Sequence, residues 1–473
     1  MDEPPGPGRD RLIGRRGLLR AAGLAGAGGV GLAALSAEDA ESARLTPVKA
    51  VSARDHGAAG DGTADDRQAI QDALDSAGQE GGAVFFPPGD YLVGSPLAPR
   101  SNTILFGSHT PRWRGGVNPP SACKIRMAPR FSGGEGLIEA GGDTWGVTLH
   151  NLALVGDDSG SGLHGLRFPD AEDFTANESW ALDGVTIAGF SGSGIYGCAQ
   201  TTTITNSMIE DNRGWGIDVS AGNRWNDCHV SNCFLFYNRS GNVRFAGSQT
   251  SGFVEFVNCR FERAGTNPDD VLEPRNPSAP GVLLANARYM HFVNCTTDAN
   301  CGNGFEVVPD PEAPDFLPAL IGFVNCHLSR DGTGDNREQG EYAGLKVLGS
   351  EEQPGRRPVD IKCVNCFVTY GKADDAGRGS VYGPRYGVWH ERARGFGWIG
   401  GHVSVLPAGN EYRSPDGSSE GATLFDPERG LLTLPLKRPE ASAGSPDGSL
   451  YLDPGADRLY VRSQGRWKSV HLS

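Results

Sequence analysis

Short apolar and polar runs alternate along most of this 473-residue chain, and many of the runs end at an Asn-Cys pair. The repeated asparagines are Asn206, Asn232, Asn258, Asn294, Asn325 and Asn365. The steps between them are 26, 26, 36, 31 and 40 residues. A repeat of this length, built from short alternating runs, predicts a solenoid of β-strands rather than one compact globular core.

After the repeated asparagine come a short strand, a loop and then a second strand that usually begins with glycine. Its apolar second and fourth residues should face the core, so its third residue should face outward. The third residues of successive strands form one predicted exposed column: Arg167, Tyr196, Asp218, Arg244, Leu283, Glu306, Lys346 and Trp389. Charges and aromatic rings in one column would suit an acidic or hydroxyl-rich sugar chain. A solvated sheet face with cross-strand charge pairs is the alternative.

One helix is predicted before the regular strands. Its apolar stripe, at helical spacing, consists of Ile70, Ala73, Leu74 and Ala77. Thr63 is the expected N-cap residue and Gly78 the expected end. Because the first coil of a solenoid would expose an unpaired strand edge, we expect this amphipathic helix to cap it.

The segment from Arg54 to Val93 resembles the opening of the pectate-lyase-like right-handed parallel β-helix proteins. That superfamily includes rhamnogalacturonase, epimerase-like and glycoside hydrolase family 28-related members. The resemblance rests on DHGAAGDGTADDRQAIQDAL and GGAVFFPPGDYLV. It implies an all-β fold with three strands per coil, an N-terminal capping helix and an asparagine ladder between the second and third strands. It also implies a polysaccharide groove along the first-strand sheet. The motif set of the family 28 hydrolases is not found in order, which argues against polygalacturonase activity.

Composition changes at both ends predict the domain organisation. Arg15 and Arg16 precede a Gly/Ala/Leu run that resembles a twin-arginine export signal, with a transmembrane anchor as the alternative. We expect an export signal over 1–43, the β-helix over 44–407, a linker over 408–430 and a small C-terminal β module or cap over 431–473. The protein would then be secreted or held in the cell envelope, without a stable membrane anchor.

Charge and cysteine content narrow the partners. The net charge of −14 argues against nonspecific nucleic-acid binding, which needs a basic surface. Five of the ten cysteines occupy the slot after the repeated asparagine, which favours a ladder of buried thiols over disulfides. Cys363 and Cys366 form one C-x-x-C, a weak zinc signal. No cofactor is certain. Calcium stays open as a cofactor, as does the choice between monomer and trimer.

These observations favour an exported enzyme that degrades or modifies a polysaccharide, with a lyase slightly ahead of a hydrolase. A noncatalytic carbohydrate-binding or tailspike-like adhesin is the main alternative, and a structural surface protein is the third. The expected catalytic residues are Asp218, Arg244, Glu306 and Lys346. The expected substrate-binding residues are Arg167, Tyr196, Trp215, Trp389 and His390.

Long loops before the glycine-led strands, over 264–280, 330–343 and 371–386, are expected to wall the groove. Their charged residues are Asp269, Asp270, Arg330, Asp331, Asp374 and Asp375. A hydrolase would need a carboxylate from these loops, or Glu210 or Asp211, close to Asp218, because Asp218 and Glu306 lie three coils apart, roughly 14 Å.

Overall fold

A computed structural model describes most of the chain from residue 50 onward. The described residues are 50–79, 81–108, 123–157, 160–170, 178–220, 222–247, 251–267, 274–285, 287–311, 313, 317–332, 342–370, 383–405, 412–414, 423–426, 431–433, 450–453, 458–463 and 466–471. The predicted export signal lies outside them. No helix within these ranges is long and apolar enough to cross a bilayer.

Three parallel sheets form the walls of a right-handed β-helix, as the repeat predicts. Sheet A contains Ala50–Ser52, Ala83–Phe86, Ile104–Gly107, Thr148–His150, Ala181–Asp183, Ala199–Gln200, Thr203–Thr205, Trp225–Asn226, His229–Ser231, Ser251–Val257, Ala287–Val293, Ala319–Val324, Val359–Val364, Gly397–Ile399, Thr423–Asp426 and the antiparallel Leu431–Thr433. Sheet B contains Asp61–Asp65, Gly89–Val93, Cys123–Met127, Ala153–Val155, Thr186–Ala188, Met208–Glu210, Phe234–Phe236, Arg260–Glu262, Thr296–Asp298, His327–Ser329, Phe367–Thr369 and His402–Val403. Sheet C contains Gly136–Glu139, His164–Arg167, Ile195–Tyr196, Trp215–Val219, Gly241–Phe245, Val282–Leu284, Phe305–Val307, Ala343–Leu348, Tyr386–Glu391 and Tyr412–Arg413.

The repeated asparagines form a ladder at the turn between sheets A and B, which confirms the predicted role. Each adopts a left-handed backbone with φ between 51° and 55°, a conformation that asparagine tolerates better than most residues. Each side-chain amide donates to the asparagine of the preceding coil, as from Asn365 Nδ2 to Asn325 Oδ1 at 2.9 Å. At the start of the ladder Asn206 donates to Asp183 instead. These bonds hold successive coils in one register.

From Asn232 onward, a cysteine follows each ladder asparagine, and it is buried and free, as the thiol-ladder hypothesis predicts. Its thiol donates to a carbonyl of the preceding coil, as from Cys259 Sγ to the Val230 carbonyl at 3.3 Å. Outside the ladder, burial raises the pKa of Cys228 to about 12, so that thiol stays protonated at neutral pH. A buried thiol that is protonated acts as a small apolar side chain with a weak hydrogen bond.

A second hydrogen-bonded ladder lies inside the solenoid, at the turn between sheets B and C. Asn212 Nδ2 donates to Asn238 Oδ1, and Asn238 Nδ2 donates to Asn242 Oδ1, both at 2.9 Å. Asn242 then donates to Asn300 at 3.2 Å, and Asn300 donates to Asp331 Oδ1 at 2.8 Å. All five side chains are buried. Because every amide donates in the same direction, Asp331 is the final acceptor.

This inner ladder explains the glycine at or next to the start of several sheet C strands. A Cβ atom at Gly304 would lie 2.4 Å from Asp331 Oδ2, and one at Gly216 would lie 2.8 Å from Asn238 Nδ2. Asn242 occupies the glycine position in one coil. The ladder position between Asn238 and Asn300 is Ala264, which has no side-chain amide. Asn242 therefore accepts from Asn238 and donates to Asn300 in its place.

The first coil is capped by the helix Arg67–Gly78, which begins after a 3-10 turn over Ala53–His56 and the strand Asp61–Asp65. Its predicted apolar stripe is buried. The predicted N-cap residue is wrong, because Thr63 lies in the preceding strand and Asp66 holds the cap position. The Asp66 carboxylate accepts hydrogen bonds from the backbone of Ala59 and Gly60 instead of capping the helix.

At the other end, parallel pairing continues into the segment expected to be a linker. Tyr412–Arg413 adds a strand to sheet C, and Thr423–Asp426 adds one to sheet A. Farther on, Leu450–Asp453, Arg458–Ser463 and Arg466–His471 form a three-stranded antiparallel sheet.

Asp331→Asn should flatten the pH dependence of stability between about pH 4 and about pH 8. Burial raises the pKa of Asp331 from an ordinary 3.8 to about 8. The stabilisation from a raised folded-state pKa is complete below the unfolded pKa and is lost as the pH rises through the folded pKa. The free energy of unfolding of the wild type should therefore fall relative to the variant across this range, by an amount on the order of a few kcal/mol.

Urea unfolding at several pH values between these limits measures the difference. Asp75→Asn, which removes an exposed carboxylate paired with Arg100, is the matched control and should not change the slope. A constant difference between wild type and Asp331→Asn at every pH would contradict the expectation.

Candidate functional site

The backbone pairing places the predicted outer column in one row of sheet C. This sheet C row runs, in order, through Arg167, Tyr196, Asp218, Arg244, Leu283, Glu306, Lys346 and Trp389. Glu139 extends it at one end and Arg413 at the other, and the sequence pattern predicted neither. The row therefore follows the solenoid axis for ten strands.

The row is less exposed than predicted. Most of its members are half-buried, the Asp218 side chain is 6% exposed, and Trp389 is buried. Neighbouring side chains lie at the strand spacing of about 4.8 Å, so long ones cover each other. The row thus presents the edges of packed ion pairs and rings to solvent.

Asp218 and Arg244 form the most constrained pair in the row. Arg244 Nε and Nη2 each donate to one carboxylate oxygen of Asp218 at 2.8 Å, and Nη2 also donates to Ser220 Oγ at 2.8 Å. Ser193 Oγ donates to Asp218 at 3.3 Å. Trp215, which lies 5.3 Å from the Arg244 guanidinium, is buried. This bidentate geometry holds both charges in place.

His164 is a site residue that the sequence pattern missed. Its ring stacks on Tyr196 with a centroid distance of 4.5 Å, and its Nδ1 accepts a hydrogen bond from the backbone N–H of Ser193 at 2.9 Å. In the neutral ring the proton is therefore on Nε2. Burial lowers the pKa of His164, against the opposing effect of Asp218. Its position just before the glycine-led strand of Arg167 was the available signal.

Tyr196 lies between Arg167 and Asp218 in the row. The pKa of its hydroxyl is raised, chiefly by burial and to a smaller extent by the nearby carboxylates of Asp170 and Asp218. Arg167, on the preceding strand, pairs with Glu135 at 2.9 Å and with Asp170 at 3.0 Å. Tyr196 therefore stays protonated at neutral pH, beside a cation that two carboxylates already balance.

Glu306 and Lys346 form a looser pair, with Nζ 4.0 Å from Oε1. Asn303 also donates to Glu306 at 3.0 Å. Lys346 lies 4.7 Å from the centre of the Trp389 ring, and Arg413 lies 4.1 Å from that centre. The indole Nε1 donates to Glu391 at 2.7 Å. The end of the row is therefore an indole with a cation on each side, a favourable electrostatic arrangement.

Two expectations about individual residues change. His390 does not face the outer surface, because it is buried and stacks on Phe396 at 4.7 Å. Because it directly follows the outward-facing Trp389, it occupies an inward position. Glu210 does not join Asp218 either, because it lies on sheet B. Burial raises the pKa of Glu210 to about 9. Asp211, at the next turn, pairs with Arg275 at 3.2 Å.

Among the expected loop charges, those that the structure describes give no carboxylate for the row. Arg330 Nε donates to Asp298 of sheet B at 2.6 Å, and Asp331 ends the inner ladder. Asp269, Asp270, Asp374 and Asp375 lie outside the described residues. Within the described chain no three His, Cys, Asp or Glu side chains converge as a metal site, and Cys363 and Cys366 are both buried.

Two family models match parts of the chain. Residues 50–114 match "Rhamnogalacturonase A/epimerase, pectate lyase-like", and residues 174–311 match "Right handed beta helix region". Together with the fold, these matches support the pectate-lyase-like β-helix superfamily. Solved structures with the same fold include an Azotobacter vinelandii mannuronan C-5 epimerase A-module, with a TM-score of 0.51 and 17% identity over 80% of this chain and 97% of that one. A second is tailspike protein 2 from an Escherichia coli O157:H7 bacteriophage, with a TM-score of 0.53 and 14% identity over 78% and 46%.

Curated relatives match shorter segments. Plasmin and fibronectin-binding protein A of Streptococcus pneumoniae is 31% identical over 160 residues, which is 30% of this chain and 22% of that protein. A capsule K30/K69-specific depolymerase of Klebsiella phage K5-2 is 24% identical over 261 residues, 49% of this chain and 32% of that protein. A mannuronan C5-epimerase of Azotobacter vinelandii is 48% identical over 63 residues, 12% of this chain and 7% of that protein. The chain therefore spans at most about a third of these relatives.

Arg244→Met should destabilise the protein by about 3 kcal/mol, because it leaves the buried Asp218 carboxylate without its cation. Adding Asp218→Asn should recover part of that loss, since the remaining amide carries no charge. Urea unfolding of the two single variants and the double variant measures the coupling.

The matched control is Arg100→Met, which breaks an exposed pair with Asp75 and should cost no more than about 1 kcal/mol. Strict additivity of the Arg244 and Asp218 substitutions would show that the pair contributes no coupling energy.

Proposed function

We propose that the protein binds an acidic polysaccharide along the sheet C row and cleaves it by proton abstraction, as a lyase does. The observation that carries the proposal is the spacing of cations along the unbroken row. Arg167 lies three strands from Arg244, and Arg244 lies three strands from Lys346, roughly 14 Å in each case. Regularly spaced cations beside aromatic rings suit a polymer with repeated carboxylates. Two curated relatives are named for capsule depolymerisation and for mannuronan epimerisation, which agrees with this substrate class.

The proposed chemistry uses three consecutive strands of the row. Arg244 would neutralise the uronate carboxylate, and Asp218 would take the proton from the adjacent carbon. The released electron pair forms a carbon–carbon double bond as the glycosidic bond to the neighbouring carbon breaks. Tyr196 would protonate the departing oxygen, and its raised pKa keeps that proton available. His164 would position Tyr196 by stacking and would offer its Nε2–H to the sugar.

Spacing within the row favours this scheme over hydrolysis. A hydrolase needs two carboxylates no more than roughly 9.5 Å apart. Asp218 and Glu306 are separated by three strand steps, roughly 14 Å. Glu306 and Lys346 would then bind a sugar farther along the chain, together with Trp389, although the sequence pattern had favoured them as catalytic residues.

A noncatalytic adhesin is the second candidate, and one observation favours it. Arg167, Arg244 and Lys346 all lie in ion pairs with carboxylates of the same chain. Such a row can bind a polyanion by exchanging partners, without any chemical step. We also propose export by the Arg15–Arg16 signal, which would place either activity outside the cytoplasm. If the protein is an enzyme, Ca²⁺ is its candidate cofactor.

The test is a panel of plant, algal and bacterial polysaccharides, with and without chelator, followed by absorbance of unsaturated uronate and by new reducing ends. A lyase produces both signals, and Asp218→Asn or Tyr196→Phe should lower the rate by about 10²-fold or more. Glu255→Gln, on sheet A, is the matched control and should retain the wild-type rate.

Reducing ends without unsaturated product would replace the lyase with a hydrolase. Saturable binding of a glycan without either product would establish the adhesin.

A further inference from the structure

The outer face of sheet A carries most of the exposed apolar side chains. Ten large apolar residues are exposed within the described chain, and six of them lie on this face: Phe253, Tyr289, Leu320, Val324, Val364 and Ile399. Phe253 is 59% exposed, and its ring stacks on Tyr289 at 4.8 Å. Exposed apolar side chains concentrated on one face are typical of a protein contact surface.

Three rows of side chains run along this face. The middle row contains Glu255, His291, Gly322 and Lys362 on consecutive strands. One flanking row contains Val257, Val293, Val324, Val364 and Ile399. The other contains Phe253, Tyr289, Leu320 and Asp360, all with a left-handed backbone. With His229 and Gly397 included, the middle row has six positions. Glu255 is the second of them and Lys362 the fifth.

We propose that this face binds a second copy of the chain, with the two solenoid axes antiparallel. A two-fold axis that passes between the His291 and Gly322 strands and runs parallel to them would place Glu255 opposite the partner's Lys362. It would also place His291 opposite the partner's Gly322, beside the partner's own His291, whose ring lies over that glycine. A contact between identical patches of this kind is the commonest interface in homodimers.

Charge selects the antiparallel arrangement. With parallel axes, Glu255 would face the same residue of the second copy, and Lys362 would do likewise. Like charges directly opposite each other destabilise a contact, whereas opposite charges stabilise it. The existing contacts of Glu255 with His229 at 3.3 Å and His291 at 3.7 Å hold its carboxylate on this face.

The apolar rows are consistent with the same axis. Val257 would face the partner's Val364, and Val293 would face the partner's Val324. On the other flank Tyr289 would face the partner's Leu320. At the rim Phe253 falls opposite Asp360, so the match is best along the centre and the valine row. The flanking rows would supply the apolar contacts of the interface, and the middle row would supply its charge pairs.

The size of the face sets the expected strength. Six strands from His229–Ser231 to Gly397–Ile399 extend roughly 24 Å along the axis, and the strands are roughly 20 Å long. The contact would then bury about 500 Å² on each copy, about 1,000 Å² in total, which is at the low end for a specific interface. The dimer should therefore be weak and dependent on concentration.

A charge swap tests the arrangement in the full chain. Sedimentation velocity over about 1–200 μM should show a monomer–dimer equilibrium for the wild type. Glu255→Lys and Lys362→Glu should each weaken the dimer by at least about tenfold, because each places like charges opposite each other. The double variant restores opposite charges and should recover the wild-type dissociation constant.

Glu351→Lys, which reverses an exposed charge paired with Arg392 away from sheet A, is the matched control and should dimerise as the wild type does. Circular dichroism confirms that each variant is folded. A wild type that stays monomeric would overturn the proposal. So would a trimer that the single substitutions do not affect, or a double variant that remains as weak as the single ones. Loss of glycan binding in Phe253→Ala, in a protein that is always monomeric, would assign the face to glycan instead.

Discussion

From Asn206 to Asn365, each coil turns from sheet A to sheet B through one asparagine in the left-handed conformation, and that asparagine is bonded to the coil before it. The turn sets which residues of the next strand face inward. A slip of one residue would move every side chain to the opposite face. The stacked thiols, the stacked rings of Phe256, Phe292 and Phe323, and the outer rows all depend on that register.

The inner ladder imposes a second constraint with an opposite chemical character. It places amides and one carboxylic acid inside the solenoid, where a polar group without a partner is costly. Each amide is satisfied by the next one, and glycine at the start of the facing strand leaves room for it. At one step Ala264 stands where an asparagine would be expected, and Asn242 stands where a glycine would be expected. Asn242 then bridges Asn238 and Asn300, so the chain of hydrogen bonds is preserved. The interior is thus stabilised by apolar stacking and by directional hydrogen bonds together.

The two outer faces differ in how their charges are used. On sheet C, cations and carboxylates are paired within one copy and lie beside aromatic rings, which suits a ligand that exchanges ion-pair partners. On sheet A, Glu255 and Lys362 lie three strands apart along the axis, and His291 and Gly322 separate them. One scaffold can therefore present a polar row to a glycan and an apolar face to a protein without either surface disturbing the other.

The sequence by itself determined the solenoid, the asparagine turn, the buried thiols and the composition of the sheet C row, because each depends on a local repeat and on strict alternation along a strand. It also located the capping helix, although Thr63 was assigned a role that Asp66 holds. Only the tertiary structure decided which side chains pair across coils, such as Arg244 with Asp218, and which are covered, such as Asp218 and Trp389. The inner ladder, His164 and Arg413 were likewise missed. Their partners lie a coil or more away, and the coils differ in length, so local spacing does not specify these contacts.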